Sequence, residues 1–454
     1  MRNLLQKCFK WQWLVCLAVG CCFSSCKDDE ESTSGYDPNK PIVLTDFYPP
    51  EGKLATQVIL NGSNFGDSKE NVKVFFNDKE ASVISVKDDR MLVLAPKRAS
   101  TIEDPECVVK VQVHEQIEEY KQTFDYYIQT TVTTLVGGST SAQVNPTGTI
   151  PLSEAQFRAN IDRCICVDQD KNVFFLVDND GKFAAFMLNE EADKLISLKS
   201  DINALFNSPV LGYNSKDDIV YQFWANRDSH EVYYFDPKTD YAPTISSISW
   251  DDPNFPNIEG FGVWAAKCNF TMGPDGKMYS RMLGGNLVRI DVENARGENL
   301  TNGDLVGTKD GSAYGLVFDP QDENVFYFSN NDKHCIYKYD LRTKECACWA
   351  GQEGKSGYLD GPIGQAMFNK PGQMCVDSEG NIILTDTENH CIRKITMSTG
   401  YVSTLAGKPQ NSGYVNGSAE DAQFKKPLGI CIDNDDVMYI GDSENRAIRR
   451  LAVE

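Results

Sequence analysis

Short apolar segments separated by turn residues fill residues 41–128. The turns are rich in Asn, Gly and Asp, as at 61–66 and 77–78. Strands of this length with such residues between them predict an antiparallel sandwich. The predicted strands cover residues 56–60, 72–76, 81–86, 91–94, 108–113 and 124–127.

The pattern from residue 129 to residue 454 repeats itself. Residues 351–361 return as 407–417, and residues 386–389 return as 442–445, in each case at an offset of 56. Fainter copies upstream bring the total to six units of about 54 residues, each with segments for several short strands. This period predicts the blades of an all-β, six-bladed propeller.

The last unit is one strand short. It ends at Glu454 after its third predicted strand, whereas the fifth unit has an outer strand at 401–406. Residues 131–136 have outer-strand character and precede the first unit. We therefore expect them to pair beside 447–453, so that this N-terminal outer strand closes the ring without a long unpaired edge.

Residues 1–25 have the composition of a secretory signal. Residues 1–10 are basic, and the apolar stretch 11–23 is too short to span a bilayer as a permanent helix. Ser24-Ser25-Cys26 resembles a bacterial lipobox, which implies removal of residues 1–25 and lipidation of Cys26. Residues 26–40 read as a flexible tether, and their acidic run looks like the signal that places lipoproteins of the Bacteroidota on the extracellular face of the outer membrane. A plain secretory signal followed by a charged linker is the alternative.

The net charge of the chain limits the kinds of molecule that it is expected to bind. The formal net charge is −21, and so acidic a surface repels phosphate backbones, which argues against a nucleic-acid partner. The four histidines are scattered, which argues against a His-rich zinc site, although carboxylates for calcium are plentiful.

The cysteines point to buried thiols. Ten of the fifteen remain once the signal and Cys26 are set aside, and no CxxC pair occurs that would favour a zinc ribbon or a redox motif. Cys335 and Cys391, like Cys375 and Cys431, lie 56 residues apart at matching repeat positions. Small buried hydrophobes are the simplest role there, and a disulfide framework is the alternative.

Four short motifs stand out in residues 41–128: the opening Pro41-Ile42, the turn-rich loop at 60–66, Ala95-Pro96 and a closing Phe-x-Tyr at 124–126. With these motifs the segment resembles the IPT/TIG family of immunoglobulin-like domains. The resemblance implies an immunoglobulin-like sandwich that spaces or binds rather than catalyses. We expect it to act as a stalk.

The repeated units of residues 129–454 contain recognisable motifs: Thr-Leu-Ala-Gly at 404–407, Ala-x-Phe-x-x-Pro at 366–371, the apolar strand ending in Asp386, and Ile392-Arg393. With these motifs they resemble the NHL-repeat family. The fifth and sixth units match closely, the first partly, and the second to fourth in outline. Specialised surface is therefore expected in the middle units.

Repeated polar residues at the strand ends admit two interpretations. Asp386 and Asp442, with Asn389 and Asn445, could form a carboxylate ring that holds calcium in the channel. The favoured alternative is that they hydrogen-bond the tight turn between strands. Arg393, Arg449 and Arg450 are predicted to be exposed strand charges, with Glu444 as their neighbour.

Non-repeating aromatic and polar residues suggest a ligand-binding face. Loops that lead into the inner strand and turns between the second and third strands share one face of a propeller. Aromatic rings beside amide and acid groups suit sugars, whose apolar faces stack while their hydroxyls form hydrogen bonds. Core packing of Trp224 and Trp264, and loop anchoring by the tyrosines, are the alternatives. The candidate binding residues are Trp224, Arg227, Trp250, Phe255, Trp264, Asn331, His334, Tyr358, His390 and Tyr414.

Three functions remain open from the sequence. The favoured one, taken from the resemblance to lipoproteins of polysaccharide-utilisation systems, is a non-catalytic surface protein that binds extracellular polysaccharide or oligosaccharide, possessing no cofactor and working beside an outer-membrane transporter. A lyase or lactonase with a channel metal is the second, although no nucleophile motif or His-Glu-x-x-His occurs. A protein-binding scaffold is the third, since propellers host many functions.

Overall fold

A computed structural model describes residues 35–53, 55–96, 107–126, 129–161, 164–179, 182–203, 210–223, 231–250, 269–281, 285–301 and 315–453. The chain divides into two compact units, Met1–Tyr127 and Ile128–Glu454. The described residues are all-β, apart from short 3₁₀ helices at Lys69–Asn71, Leu152–Glu154, Pro237–Thr239, Thr387–Asn389 and Ser443–Asn445. No helix among them is long and apolar enough to cross a bilayer. The predicted signal and the lipidation residue Cys26 lie outside the described residues.

The first unit packs two sheets around one core. Its strands are β1 (Val43–Tyr48), β2 (Glu51–Gly52), β3 (Gln57–Ser63), β4 (Val72–Phe76), β5 (Lys79–Glu80), β6 (Ser82–Lys87), β7 (Arg90–Leu94), β8 (Cys107–Val113) and β9 (Gln116–Tyr126). The strand orders are β1-β3-β7-β6 and β2-β9-β8-β4-β5. Burial alternates along β8, because successive side chains of a strand point to opposite faces. Val58, Val93 and Val111 are fully buried in the core between the sheets.

The second unit contains six sheets within its described residues. Strand β10 (Thr130–Gly137) belongs to the last sheet. Sheet one contains β11 (Thr149–Ile150), β12 (Cys166–Val167), β13 (Val173–Asn179), β14 (Lys182–Asn189) and β15 (Lys194–Asn203). Sheet two contains β16 (Val210–Asn214), β17 (Ile219–Phe223), β18 (Glu231–Phe235) and β19 (Thr244–Ser247). Sheet three contains β20 (Ser249–Trp250), β21 (Thr271–Met272), β22 (Met278–Arg281), β23 (Leu287–Asp291) and β24 (Arg296–Asn299).

The three remaining sheets are described without a gap. Sheet four contains β25 (Leu316–Phe318), β26 (Val325–Asn330), β27 (Cys335–Asp340) and β28 (Cys346–Ala350). Sheet five contains β29 (Gly361–Pro362), β30 (Pro371–Val376), β31 (Ile382–Asp386), β32 (Cys391–Thr396) and β33 (Tyr401–Ala406). Sheet six contains β34 (Gly417–Ser418), β35 (Pro427–Ile432), β36 (Met438–Asp442) and β37 (Ala447–Val453), with β10 beside β37.

One strand of each sheet contacts the corresponding strand of the two neighbouring sheets. These strands are β12, β16, β21, β25, β30 and β35, and β35 contacts β12 as well as β30. The buried Gln373 of β30 also links three sheets. Its Oε1 accepts bonds from the main-chain N–H of Ile165 at 3.0 Å and of Ile430 at 3.1 Å, and its Nε2 donates to Ile165 O at 2.8 Å.

The first and last strands of the second unit meet in sheet six. Strand β10 pairs antiparallel with β37, from Thr130 opposite Val453 to Gly137 opposite Ala447. This is the pairing that the missing fourth strand of the last repeat predicts. Gly137 has a φ of 83°, and a Cβ at this position would overlap the Arg446 carbonyl oxygen, so any side chain there would clash with backbone.

Aspartates order the turns between the first and second strands. Asp377 Oδ1 accepts main-chain bonds from Glu379 and Asn381, and Asp433 Oδ1 accepts equivalent bonds from Asp435 and Val437. The short side chain of aspartate can accept hydrogen bonds from main-chain N–H groups of its own turn. These N–H groups have no partner within the sheet. The nine described cysteines are free thiols, mostly buried, and Cys268 lies outside the described residues.

Candidate functional site

One face of the second unit, here called the upper face, is formed by two kinds of connection. In sheets four to six these are the turns 331–334, 387–390 and 443–446, and the loops 351–370 and 407–426, which lead from one sheet to the next. Antiparallel pairing puts both kinds at the same end of the strands. Hydrogen bonds join them across the sheets: Gly354 N donates to Lys333 O at 2.8 Å, and Gln410 N donates to Asn389 O at 2.8 Å.

Five of the predicted binding residues lie on the described part of the upper face: Asn331, His334, Tyr358, His390 and Tyr414. Asn331 is buried, and its main-chain carbonyl accepts a bond from the His334 N–H. Trp250 ends β20, where its backbone pairs with Gly297. Four others, Trp224, Arg227, Phe255 and Trp264, lie outside the described residues.

Arg393 and Arg449 are fully buried, so the prediction that they are exposed strand charges is wrong. Arg393 donates to Asp386 at 2.7 Å and to Asp360 at 2.6 Å. It also donates to the main-chain oxygens of Met367 and Leu359. The guanidinium therefore ties a strand of sheet five to the loop above it.

Arg449 forms the same network one repeat later. It donates to Asp442 at 2.8 Å and to Asn416 at 2.7 Å. Arg450 is partly buried and pairs with Glu190 at 3.3 Å, so it is not an exposed charge either. Glu444 pairs with Lys426 at 3.0 Å and with Lys425 at 3.4 Å.

Asp386 serves both the turn and the buried arginine. Its Oδ2 accepts a bond from Asn389 Nδ2 at 2.8 Å, as the turn interpretation predicts, in addition to the bond from Arg393. Burial raises the pKa of Asp386, and the neighbouring Arg393 opposes that rise. Among the described residues, no group of three or more His, Cys, Asp or Glu side chains could hold a metal ion.

The two tyrosines are fixed by the buried arginines. The ring of Tyr358 lies 4.9 Å from the Arg393 guanidinium, and that of Tyr414 lies 5.0 Å from the Arg449 guanidinium. The Tyr358 hydroxyl shares a 2.8 Å hydrogen bond with Thr404 Oγ1. Both tyrosines therefore anchor their loops, as the alternative to a ligand-binding role predicts. The same contacts hold the rings in place.

Tyr358 also lines a cleft of about 330 Å³ between sheets five and six. The cleft has an apolar part with Leu405, Ala406 and Pro409, and a polar part with Lys408, Asn411 and Glu420. Sequence reasoning missed these polar residues. The available signal was that 408–411 depart from the otherwise close repeat of 352–355.

The cleft beside Tyr358 is here called the upper cleft. A second cleft of about 450 Å³, here called the lower cleft, lies at the opposite ends of the strands in sheets two and three. Asp217, Asp275, Lys216, Lys277 and Glu293 are among its lining residues. Its carboxylates already have partners, because Tyr221 donates to Asp217 at 2.7 Å and Tyr279 donates to Asp275 at 3.0 Å. The acidic lining and these internal bonds make it less suited to a neutral ligand than the upper cleft.

Charged side chains form a linked row on the upper face. Glu388 lies 4.0 Å from Lys370 and 3.6 Å from Lys426, and Lys426 in turn pairs with Glu444. Partly exposed pairs of this kind contribute little to stability. They do offer donors and acceptors of both signs to a polar ligand.

Comparison with known proteins identifies both kinds of domain. Residues 42–126 match the IPT/TIG domain, and residues 368–395 match the NHL repeat. An auxiliary nutrient binding protein from Bacteroides ovatus ATCC 8483 is similar in structure, with 22% identity, coverage of 92% of this chain and 100% of that chain, and a TM-score of 0.65. A protein of unknown function from Bacteroides thetaiotaomicron VPI-5482 has 25% identity, the same coverage and a TM-score of 0.62.

Curated relatives match over shorter stretches. NHL repeat-containing protein 2 of Gallus gallus is 30% identical over 152 residues, which is 33% of this chain and 19% of the relative. Protein SUPPRESSOR OF QUENCHING 1, chloroplastic, of Arabidopsis thaliana is 24% identical over 271 residues, which is 55% of this chain and 25% of the relative. The chain thus spans about a quarter or less of the length of these relatives.

Proposed function

We propose that the chain is a surface lipoprotein of the outer membrane that binds an extracellular carbohydrate nutrient without cleaving it. The six sheets are taken as the blades of a closed NHL-type propeller, presented by the IPT/TIG domain and a tether lipidated at Cys26. The observation that carries the proposal is the upper cleft, where the fixed ring of Tyr358 stands beside apolar side chains and the polar Lys408, Asn411 and Glu420.

The chemistry of this cleft suits a sugar. An aromatic ring offers its face to the C–H groups of a pyranose, and amide, ammonium and carboxylate groups bond its hydroxyls. Arg393 holds the ring of Tyr358 before any ligand arrives, so little side-chain freedom is lost on binding. The description of similar Bacteroides proteins as auxiliary nutrient binding proteins supports this class of ligand.

Affinity electrophoresis of residues 27–454 through gels containing plant, host or microbial polysaccharides tests the proposal. We expect at least one neutral polysaccharide to retard the protein, with no new reducing ends or unsaturated products. Release of products would indicate an enzyme. Failure of every polysaccharide to retard the protein, together with capture of an outer-membrane protein, would indicate a scaffold.

A cleft variant assigns the retained polysaccharide to the upper face. Combined Lys408→Ala, Asn411→Ala and Glu420→Ala substitutions should abolish the retardation, because all three side chains line the cleft. Lys216→Ala with Glu293→Ala, in the lower cleft, is the matched control and should change nothing. Equal retardation of both variants would contradict the site, and Trp250→Ala then tests the middle sheets.

The anchor is tested separately. Expression of Cys26→Ala in a Bacteroides host should release the mature protein from the membrane fraction, while the unmodified chain should be digested by protease added to intact cells. Membrane association that survives Cys26→Ala would contradict the lipid anchor and favour a plain secretory signal.

A further inference from the structure

Two histidines occupy the same position in successive repeats of the upper face. His334 ends the turn of sheet four and His390 ends the turn of sheet five, with φ of 56° and 57°. Such left-handed backbone is uncommon outside glycine, and His, Asn and Asp adopt it more readily than most residues. Neither histidine has a part in the cleft lining described above.

Each histidine bonds the loop that leads into the next sheet. His334 Nδ1 accepts a bond from Lys370 N at 3.1 Å, and His390 Nδ1 accepts a bond from Lys426 N at 3.2 Å. A main-chain N–H can only donate, so Nδ1 must carry no proton, and the single ring proton sits on Nε2. The geometry therefore fixes both the charge and the tautomer of each ring.

We propose that His334 and His390 form a pH-sensitive seam, in which neutral imidazoles hold adjacent sheets together on the upper face and protonation releases both bonds. A protonated Nδ1–H would point at the N–H of Lys370 or Lys426, so that donor faces donor and the bond is lost. Both lysines have left-handed backbone, with φ of 57° and 52°, immediately before a proline. This conformation is costly for lysine and depends on such outside contacts.

The charges around the two rings decide where the seam titrates. His334 faces Lys370 of the next loop and Asp332 of its own turn, and burial together with the lysine lowers its pKa from 6.5. His390 faces Lys425 and Lys426 from sheet six, balanced by Glu388 and Glu444. Burial is the main reason that the pKa of His390 is also lowered.

The sign of the effect follows. A histidine whose pKa is lowered in the folded state stabilises fully above the unfolded value, about 6.5, and that stability is lost as the pH falls below it. The seam is thus closed at neutral pH and weakened in acid. At the third equivalent position stands Arg446, whose guanidinium donates to Thr140 O at 3.0 Å.

The seam adjoins the proposed binding cleft. Gly407, which lines the cleft, lies so close to the turn that a Cβ there would be 3.0 Å from the His390 carbonyl oxygen. Release of His390 would therefore loosen one wall of the cleft. This consequence for the ligand rests on the proposed function, whereas the seam itself does not, and its test uses no ligand.

Nitrogen-15 NMR of the full chain tests the tautomer. With only four histidines, single His→Asn variants assign every ring. We expect the Nε2–H tautomer for His334 and His390 at about pH 7.5, where both rings are neutral. An Nδ1–H tautomer, or a positive ring at that pH, would overturn the proposal.

Thermal unfolding tests the release. The double variant His334→Asn, His390→Asn keeps an acceptor near the Nδ1 position and suits left-handed backbone, but it cannot titrate. We expect the Tm of the unmodified protein to fall by about 2–4 °C more than that of the variant between about pH 7.5 and pH 5.0. His114→Asn, at an exposed left-handed position of the sandwich, is the control and should keep the full pH dependence. Equal pH dependence in the unmodified protein and the double variant would refute the seam.

Discussion

Arg393 offers the sharpest test of how the second unit is held together. Its side chain has 0% exposure, and it donates four hydrogen bonds, two of them to the carboxylates of Asp386 and Asp360. It also lies between the rings of Tyr358 and Phe368, at 4.9 and 5.1 Å. Arg393→Met keeps an unbranched side chain in this space and removes the charge and all four bonds.

The size of the stability loss in Arg393→Met follows from the burial of its partner Asp386. Asp386 is also 0% exposed, so Arg393→Met leaves a carboxylate in the interior with no cation beside it. Breaking a buried pair in this way costs about 3–5 kcal/mol. We therefore expect the Tm of the second unit to fall by at least ~5 °C.

Differential scanning calorimetry measures this loss, and a matched arginine controls for it. Arg342→Met removes an arginine that is 53% exposed and pairs with Asp322 and Asp340, each at 2.7 Å. Solvent screens those pairs, so we expect almost no change in Tm. Adding Asp386→Asn to Arg393→Met should recover part of the loss, because the orphaned charge is then gone. An Arg393→Met variant as stable as Arg342→Met would refute the reasoning.

Three further predictions concern closure and burial. Gln373→Leu leaves the main-chain N–H groups of Ile165 and Ile430 unpaired and should cost about 2–4 kcal/mol by chemical denaturation, so an unchanged midpoint would contradict the link between sheets. Gly137→Ala should cost more than about 2 kcal/mol because of its left-handed backbone and the Arg446 carbonyl, whereas Gly364→Ala, with open space around it, should be neutral. Similar denaturation midpoints for the two variants would argue against the β10–β37 pairing. In native protein the half-buried Cys346 should react with a thiol reagent before the buried Cys391, whose pKa is raised by burial, and mass spectrometry showing equal rates would contradict this order.

Apolar segments between turns, and the 56-residue repeat, predicted many of the strands correctly. Residues 72–76 and 108–113 of the sandwich, and the pairing of 131–136 with 447–453, correspond to strands β4 and β8 and to the β10–β37 pair. Strands β1 and β16 were missed, because β1 fully buries only Phe47 and shows no alternation, and β16 contains a glycine and ends in an asparagine, which are more typical of turns. Local periodicity cannot separate such segments from loops.

The buried arginines were misjudged for a physical reason. Second and third strands of these sheets are covered on both faces, so Ile392 and Arg393 are both buried and alternation no longer marks exposure. The repeat nevertheless contained evidence of the buried pair. Asp386 and Arg393 both recur one repeat later, as Asp442 and Arg449. One repeat earlier both are replaced, by Asn330 and Tyr337, as expected for two residues that depend on each other.

The candidate site was only partly accessible to sequence reasoning. Tyr358 was found because an aromatic residue in a loop is conspicuous, but its neighbours Lys408 and Asn411 are ordinary polar residues. What brings them together is the packing of one sheet's outer strand against the loop into the next sheet. That proximity depends on how neighbouring sheets pack, which composition and spacing do not encode.

A crystal structure of the protein with an oligosaccharide from the retained polysaccharide tests the central claim most directly. The account predicts six blades around one axis, with a sugar ring in the upper cleft against Tyr358 and hydroxyls bonded to Asn411 or Glu420. A sugar seated at the opposite ends of the strands, beside Asp275 and Lys277, or a ring of five or seven blades, would contradict it.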